Sequence, residues 1–249
     1  SNGLWHYQSE TKRFTQLSTS QISKIFQSSQ EKVWLGLIDG SLAVLDQTNN
    51  IELQHINTNH SVLPKGIISS FAEPVTGEIW VSYSFNGIIV IDEQLLTIKH
   101  KLSLQPNVPG SLANNTVETM FLDNNQKLWV VTNGKGLQRY NAANQSFATL
   151  RSLLNQETSL SNPEIYAVSQ SKSGDLWLGH SNGIDILSSQ GQRKTILVPH
   201  LQGEKLKEKL SISAISEEVN GIIWLGASVD GLYKVDAQSH KTLAHYSLG

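Results

Sequence analysis

The sequence predicts an all-β chain assembled from repeated four-stranded antiparallel units, and three observations predict it. Five tryptophans, Trp34, Trp80, Trp129, Trp177 and Trp224, stand 46, 49, 48 and 47 residues apart, a spacing that marks a repeat architecture. Apolar and turn-forming residues keep step with them at fixed offsets. Composition agrees: of 249 residues, 39% are hydrophobic and 16% charged, with 18 Gly and 6 Pro. That is enough apolar surface for a core and enough turn residues for many short strands.

The first strand of each unit carries Ile22, Ile68, Val117, Ile165 or Ile212 twelve residues before Trp, and Ile25, Phe71, Met120, Val168 or Ile215 nine before it. An offset of three breaks strand alternation, so either the earlier residue belongs to the preceding loop or a bulge intervenes. Small residues such as Ser70, Ala72, Ala167, Ser169, Ala214 and Ser216 lie among them, which suits strands crowded around a common axis. The second strand carries Trp between Val33 and Leu35, Ile79 and Val81, Leu128 and Val130, Leu176 and Leu178, or Ile223 and Leu225. Successive side chains point to opposite faces, so both faces of this strand are apolar and both need cover. A turn bearing Gly40, Gly87, Gly136, Gly183 or Gly231 follows, with Asp39-Gly40, Asn86-Gly87, Asn182-Gly183 and Asp230-Gly231 as hairpin dipeptides. The third strand closes on Leu45-Asp46, Ile91-Asp92, Tyr140-Asn141, Leu187-Ser188 or Val235-Asp236, and a fourth follows, as around Phe147. A unit of this size with two apolar faces is not stable alone, and radial stacking of such units is the β-propeller solution. The rungs of a linear β-solenoid, the rival, are much shorter.

In chain order, 1–18 aligns with the second half of a unit, Gly3-Leu4 matching Gly136-Leu137 and Phe14 matching Phe147. Full blades are expected at about 19–64, 65–113, 114–161, 162–208 and 209–249. Five blades and a half read as one propeller domain over 1–249, or as a segment of a larger propeller of about seven blades, a compact closed ring being the alternative. Long polar connections, Asn49 to Lys65, Ser103 to Asn115, Arg151 to Pro163 and Ser189 to Leu210, hold five of the six prolines, and loops on a rigid scaffold are where recognition usually resides. The run Gly203 to Leu210 reads as a solvated helical turn of alternating charge.

Several functions are disfavoured. A formal charge of −2 with no basic cluster argues against nucleic acid as a partner. No apolar run is long enough to cross a bilayer as a helix, so membrane attachment is expected only through segments outside this chain. No cysteine is present, which removes disulfides and thiolate metal sites but fits either redox compartment. The eight His are scattered, and the pairs His55 with His60 and His240 with His245 have odd spacing that sends partners to opposite strand faces, so no metal site is expected. No nucleophile elbow occurs, and no cofactor is expected. The five periodic Trp, repeated between apolar neighbours, are assigned to packing between sheets rather than sugar stacking. Trp5 lies out of register with them and is expected at an exposed edge.

The phrases EKVWLGLIDGSLAVLD, GEIWVSYSFNGIIVID, QKLWVVTNGKGLQRYN, GDLWLGHSNGIDILS and GIIWLGASVDGLYKVD resemble the two-component regulator propeller repeat, approximately G-x-[IL]-W-[ILV]-G-T-x-x-G-[IL]-x-x-[FY]-[DN]. PGSLANNTV, Pro109 to Val117, is similar to that family's lead-in to a blade. Ser82 and Val131 depart at the usual Gly position, and Leu37 and Ala227 where Thr is common. The resemblance implies the periplasmic sensor region of a membrane-bound signalling protein, such as a hybrid histidine kinase or a GGDEF-type cyclase. It implies a segment without catalysis that binds a small molecule, a glycan or a partner protomer, with a homodimer as one form. A lyase or hydrolase propeller similar in outline to streptogramin lyase is the alternative, and a pure protein-interaction scaffold is another.

Residues that differ between units at equivalent positions are the candidate binding residues. Three places past Trp come Leu37, Tyr83, Thr132, His180 and Ala227. Tyr83, Asn133, Lys135, His180 and Asp230 together offer an aromatic face, hydrogen-bond donors and both charge signs, the ingredients of a mixed polar pocket. Arg139 and Lys234 on third strands are weaker candidates.

Overall fold

The computed structural model describes residues 3–46, 52–56, 63–150, 159–188, 193–197, 199–200, 210–218 and 220–247. Among them there is no helix, and the strands form one two-stranded ribbon and five four-stranded antiparallel sheets, each in plain sequence order. The ribbon is β1 (Leu4–Gln8) and β2 (Arg13–Ser18). The first sheet is β3 (Ile22–Gln27), β4 (Val33–Leu37), β5 (Leu42–Asp46) and β6 (Glu52–His55). The second is β7 (Ile68–Val75), β8 (Glu78–Tyr83), β9 (Gly87–Asp92) and β10 (Thr97–Leu102). The third is β11 (Val117–Leu122), β12 (Leu128–Thr132), β13 (Gly136–Asn141) and β14 (Ser146–Leu150). The fourth is β15 (Ile165–Gln170), β16 (Leu176–His180), β17 (Gly183–Leu187) and β18 (Arg193–Leu197). The fifth is β19 (Ile212–Glu217), β20 (Ile222–Ala227), β21 (Gly231–Asp236) and β22 (Thr242–Tyr246). These are the blades of a β-propeller fold, five whole and one half. The run at 203–210 lies outside the described residues apart from Leu210, which is buried.

The three-residue offset in the first strands is a bulge. Ile22 pairs with Leu37 while Lys24 pairs with Gly36, and the same slip occurs at Ile68/Ser70, Ile165/Ala167 and Ile212/Ala214. The extra residue is a serine in the first, second and fifth sheets: the Ser23 and Ser213 hydroxyls donate to the carbonyls of Gly36 and Gly226 at 3.0 and 3.5 Å, and the Ser69 hydroxyl to the Val117 carbonyl at 2.6 Å.

The chain divides into two compact units, 1–122 and 123–249. In the first, Trp34, Leu42 and Val44 meet Ile79, Val81, Tyr83, Ile89 and Ile91 of the second sheet, while Leu35, Leu37 and Ala43 on the opposite face meet Leu4 of the ribbon. In the second, Trp177, Ile184 and Ile186 meet Ile223, Leu225, Tyr233 and Val235 of the fifth sheet. The indole of one sheet thus packs on the residues that flank the indole of the next. Trp34, Trp80, Trp129 and Trp177 are buried. Trp224, on the fifth sheet, is half-buried. Trp5 is 50% exposed on the ribbon, the edge position expected of it.

Polar groups fasten neighbouring sheets at the end where strands one and two turn. The Ser29 N–H donates to Glu73 Oε2 at 2.7 Å, the Asn124 N–H to Gln170 Oε1 at 2.6 Å, and the Lys172 N–H to Glu217 Oε2 at 2.7 Å. Each acceptor stands seven residues before a Trp, and each donor five before the preceding one. The approach is close: a Cβ added to Gly179 would lie 2.6 Å from the Ile212 carbonyl of the next sheet.

Candidate functional site

The positions three past Trp lie inside the fold, opposite the residue that opens the first strand: Ile68 pairs with Tyr83 and Ile165 with His180. Both candidates are fully buried. The Tyr83 hydroxyl donates to the Gly40 carbonyl at 3.1 Å, and burial pushes its phenol well above the ordinary tyrosine range. It joins the second sheet to the glycine turn of the first.

His180 is the centre of a polar cluster in the second unit. Its Nδ1 accepts the Asn182 N–H at 3.1 Å, so in the neutral ring the proton sits on Nε2, 3.1 Å from Ser161 Oγ and 3.9 Å from Asp185 Oδ1. Asp185 is fully buried on β17, and its Oδ2 accepts the Ser161 N–H at 2.7 Å. Asn162 Nδ2 donates to Ser181 Oγ at 2.7 Å, completing the bond between the 159–164 connection and the β16–β17 turn. Burial lowers the His180 pKa and the Asp185 carboxylate works against that shift. The Ser, His and Asp do not form a nucleophile triad. In a triad the carboxylate holds Nδ1–H while Nε2 takes the serine proton; here both partners face Nε2, which is the donor.

Asn133 and Lys135 are exposed in the β12–β13 turn, where the Lys135 N–H donates to the Thr132 carbonyl at 3.2 Å. Asp230 caps the β20–β21 turn: its carboxylate accepts the Tyr233 hydroxyl, and its carbonyl lies 2.7 Å from His245 Nε2. The His245 ring stacks on Tyr233 with centroids 4.1 Å apart. Within the second unit, Asn133, Lys135, His180 and Asp230 each sit at the glycine-turn end of their own sheet, and His180 and Asp230 are each tied to neighbours other than these candidates. Among the described residues, no group of three or more His, Cys, Asp or Glu is placed to hold a metal ion.

Sequence reasoning passed over Asp185 and Ser161. Asp185 had a signal: it stands between Ile184 and Ile186, at the place filled by Ala43, Ile89, Gln138 and Tyr233 in the other units, each paired to the residue after Trp. A lone carboxylate in an apolar row needs a partner. Ser161 had none, because a connection has no periodicity.

No protein-family model matches the chain, and no curated protein matches its sequence. Solved structures do. The extracellular domain of BT4673 from B. thetaiotaomicron, described as a hybrid two-component system, superposes with a TM-score of 0.71 at 18% identity, over 91% of this chain and 30% of that one. A second structure of that domain, there described as a one-component system, gives 0.69 at 19% identity over 93% and 30%. PorZ, described as a surface component of the type-IX secretion system of Porphyromonas gingivalis, gives 0.52 at 12% identity over 94% and 42%. The chain therefore shares the fold of these proteins and spans less than half the length of each. The fold agrees with the resemblance to the two-component regulator propeller repeat.

Proposed function

We propose that this chain is a ligand-sensing or interaction propeller from the extracytoplasmic, periplasmic part of a bacterial membrane-bound signalling protein, and that it does no catalysis itself. The match of 91% of the chain to the BT4673 extracellular domain at a TM-score of 0.71 supports this reading most directly. A ligand or partner protomer that prefers one arrangement of the propeller would shift its population and bias the segments joined to it. A small molecule or glycan would enter the second unit at its glycine-turn end, where Asn133, Lys135, His180 and Asp230 stand on their several sheets; Tyr83 stands at the glycine-turn end of its own sheet in the first unit. The His180 geometry argues against a lyase or hydrolase role, since its Nε2 donates and both the ring and its acidic neighbour are sealed in the interior.

Thermal denaturation against a panel of glycans, short peptides and small metabolites tests the reading. A binder raises stability by RT ln(1 + [L]/Kd), about 2.7 kcal/mol at a hundredfold excess over Kd. At least one compound is expected to raise Tm in proportion to the logarithm of its concentration; no response from any class overturns ligand sensing. The interaction-scaffold reading is favoured by one observation, the exposed aromatic face of Trp5, Tyr7 and Phe14 on the ribbon. It predicts self-association, as a homodimer in solution, that a Tyr7→Ser and Phe14→Ser double variant abolishes.

A further inference from the structure

One of the glycine turns is held by a side chain that can gain a proton. His180 ends β16 and pairs with Gly183, leaving Ser181 and Asn182 as the two-residue turn between them. The Asn182 N–H lies 3.1 Å from His180 Nδ1. A backbone amide can only donate, so Nδ1 carries no proton and the neutral ring keeps its hydrogen on Nε2. The ring thus does for this turn what a carboxylate does in the first sheet, where Asp39 Oδ1 accepts the Ser41 N–H at 2.9 Å. Near neutral pH the carboxylate remains an acceptor, whereas an imidazole can cease to be one. In the other sheets the place of His180 is taken by Leu37, Tyr83, Thr132 or Ala227, none of which gains a proton in that range.

A proton that reaches the ring has one place to go, Nδ1, where it faces the Asn182 N–H as donor against donor. Beyond Nε2 lies an acceptor. Asp185 is fully buried, its Oδ2 takes the Ser161 N–H at 2.7 Å, and its Oδ1 accepts no hydrogen bond from the described residues. That Oδ1 stands 3.9 Å from His180 Nε2. A charge-assisted N–H···O bond is about 2.7–2.9 Å long, so a movement of the ring by about 1 Å would close the gap and loosen its hold on the turn. The neutral state has the turn bonded and one carboxylate oxygen unmet; the protonated state has the reverse. The 159–164 connection is fastened to the same parts, since Ser161 Oγ lies 3.1 Å from Nε2 and Asn162 Nδ2 donates to Ser181 Oγ at 2.7 Å.

Burial disfavours the charged ring and the Asp185 carboxylate favours it, burial being the larger effect. β15 and β16 carry no other charged side chain. The connection brings Glu164, exposed and accepting the Tyr166 hydroxyl at 3.2 Å. The third sheet brings Lys135, exposed in its glycine turn, and Arg139, held over the Trp129 ring at 5.9 Å. The fifth brings Asp230 and His245, engaged with Tyr233 and with each other.

We infer that the β16–β17 turn is a proton-operated latch: below neutral pH the His180 ring takes a proton from solvent, exchanges the Asn182 N–H for Asp185 Oδ1, and frees the turn with the 159–164 connection. Such a latch adds a regulation to the glycine-turn end of the second unit. It depends on the sensory reading only for what the opening does in the cell, because the opening itself is measured without a ligand.

In protein labelled with 15N in asparagine and histidine, the Asn182 amide is assigned by its loss in Asn182→Asp and the His180 ring by its loss in His180→Asn. From about pH 8 to about pH 4.5 the two signals are expected to titrate with one midpoint while far-UV circular dichroism stays constant. Exchange of the Asn182 amide, corrected for its own pH dependence, is expected to become about tenfold faster or more once the ring is charged. Asp185→Asn removes the carboxylate that favours the charged ring and is expected to lower the midpoint by about one pH unit or more. His180→Asn keeps an acceptor near the place of Nδ1 but takes no proton, and is expected to hold the turn closed throughout. A ring that stays neutral over the range, an Asn182 amide indifferent to the ring's charge, a loss of circular dichroism in step with the titration, a midpoint unmoved by Asp185→Asn, or a response that survives His180→Asn overturns the inference. Should a variant fail to fold, the titration of the natural protein decides alone. A ligand panel without effect leaves the latch standing, and a turn that never opens leaves ligand sensing standing.

Discussion

Trp129 and Trp224 make a matched pair for measuring what the covered indole contributes. Each donates its N–H to a carboxylate six residues earlier, Asp123 Oδ2 at 3.0 Å and Glu218 Oε1 at 2.7 Å. Each carries a cation over its ring, Arg139 at 5.9 Å and Lys234 at 5.3 Å. They differ in cover: Trp129 is 1% exposed, whereas Trp224 is half-buried. A buried Trp removes about 150–250 Å² from water, which at about 25 cal/mol per Å² is worth up to about 4–6 kcal/mol. Trp129→Ala is therefore expected to cost about 3–5 kcal/mol, within the range for large aromatic truncations. Trp224→Ala, with less area to lose because part of its ring reaches water, is expected to cost about 1 kcal/mol less. Urea unfolding followed by far-UV circular dichroism reads the difference without depending on tryptophan fluorescence. Equal losses for the two variants, or a loss below about 1.5 kcal/mol at Trp129, would refute the reasoning that sheet-on-sheet burial of the indole holds the blades together.

Glu93→Ala leaves the Trp34 N–H without its acceptor in a buried site and is expected to cost about 1–3 kcal/mol, with Glu93→Gln restoring most of it in the same unfolding assay. Gly179→Ala forces a Cβ to 2.6 Å from the Ile212 carbonyl and is expected to cost about 1–3 kcal/mol by overpacking, while the exposed Gly134→Ala pushes against no neighbouring atom and is expected to show only the smaller strain of its left-handed backbone. His180, whose pKa burial lowers, binds a proton more readily in the unfolded chain than in the folded one. Its contribution is thus present above the unfolded value of about 6.5 and lost as pH falls below it. Stability measured between about pH 7 and 5 should decline for the natural protein, and His180→Gln should flatten that slope; an unchanged slope would show that His180 does not titrate with unfolding.

The periodic part of this molecule was open to reading because it rests on local rules. Trp at nearly fixed spacing, Gly after Asp or Asn, and apolar flanks set the strands, their turns and the five sheets. The three-residue offset between Ile68 and Phe71 left a loop residue or a bulge as the choices, and the structure has the bulge. What escaped was the polar bonding, which depends on which sheet supplies an acceptor. Asp123 and Glu218 serve the Trp of their own sheet, while Glu93 reaches the Trp of the sheet before, and no spacing rule distinguishes these cases. The candidate binding residues escaped for a related reason. Differences between repeats mark both surface specialisation and interior adjustment, and Tyr83 and His180 carry hydrogen bonds within the fold, whereas Asn133 and Lys135 reach solvent. Asp185 shows how the interior could be read: its charge in an apolar row demanded a partner, and the Ser161 N–H meets one of its oxygens while His180 Nε2 stands 3.9 Å from the other.

The claim on which the functional account depends is that this propeller works outside the cytoplasm. Fusing alkaline phosphatase, active only after export, immediately after the propeller in the natural full-length protein, with a cytoplasm-active β-galactosidase fusion at the same site, tests it directly. High phosphatase with low galactosidase activity is the predicted result; the reverse pattern would contradict the account.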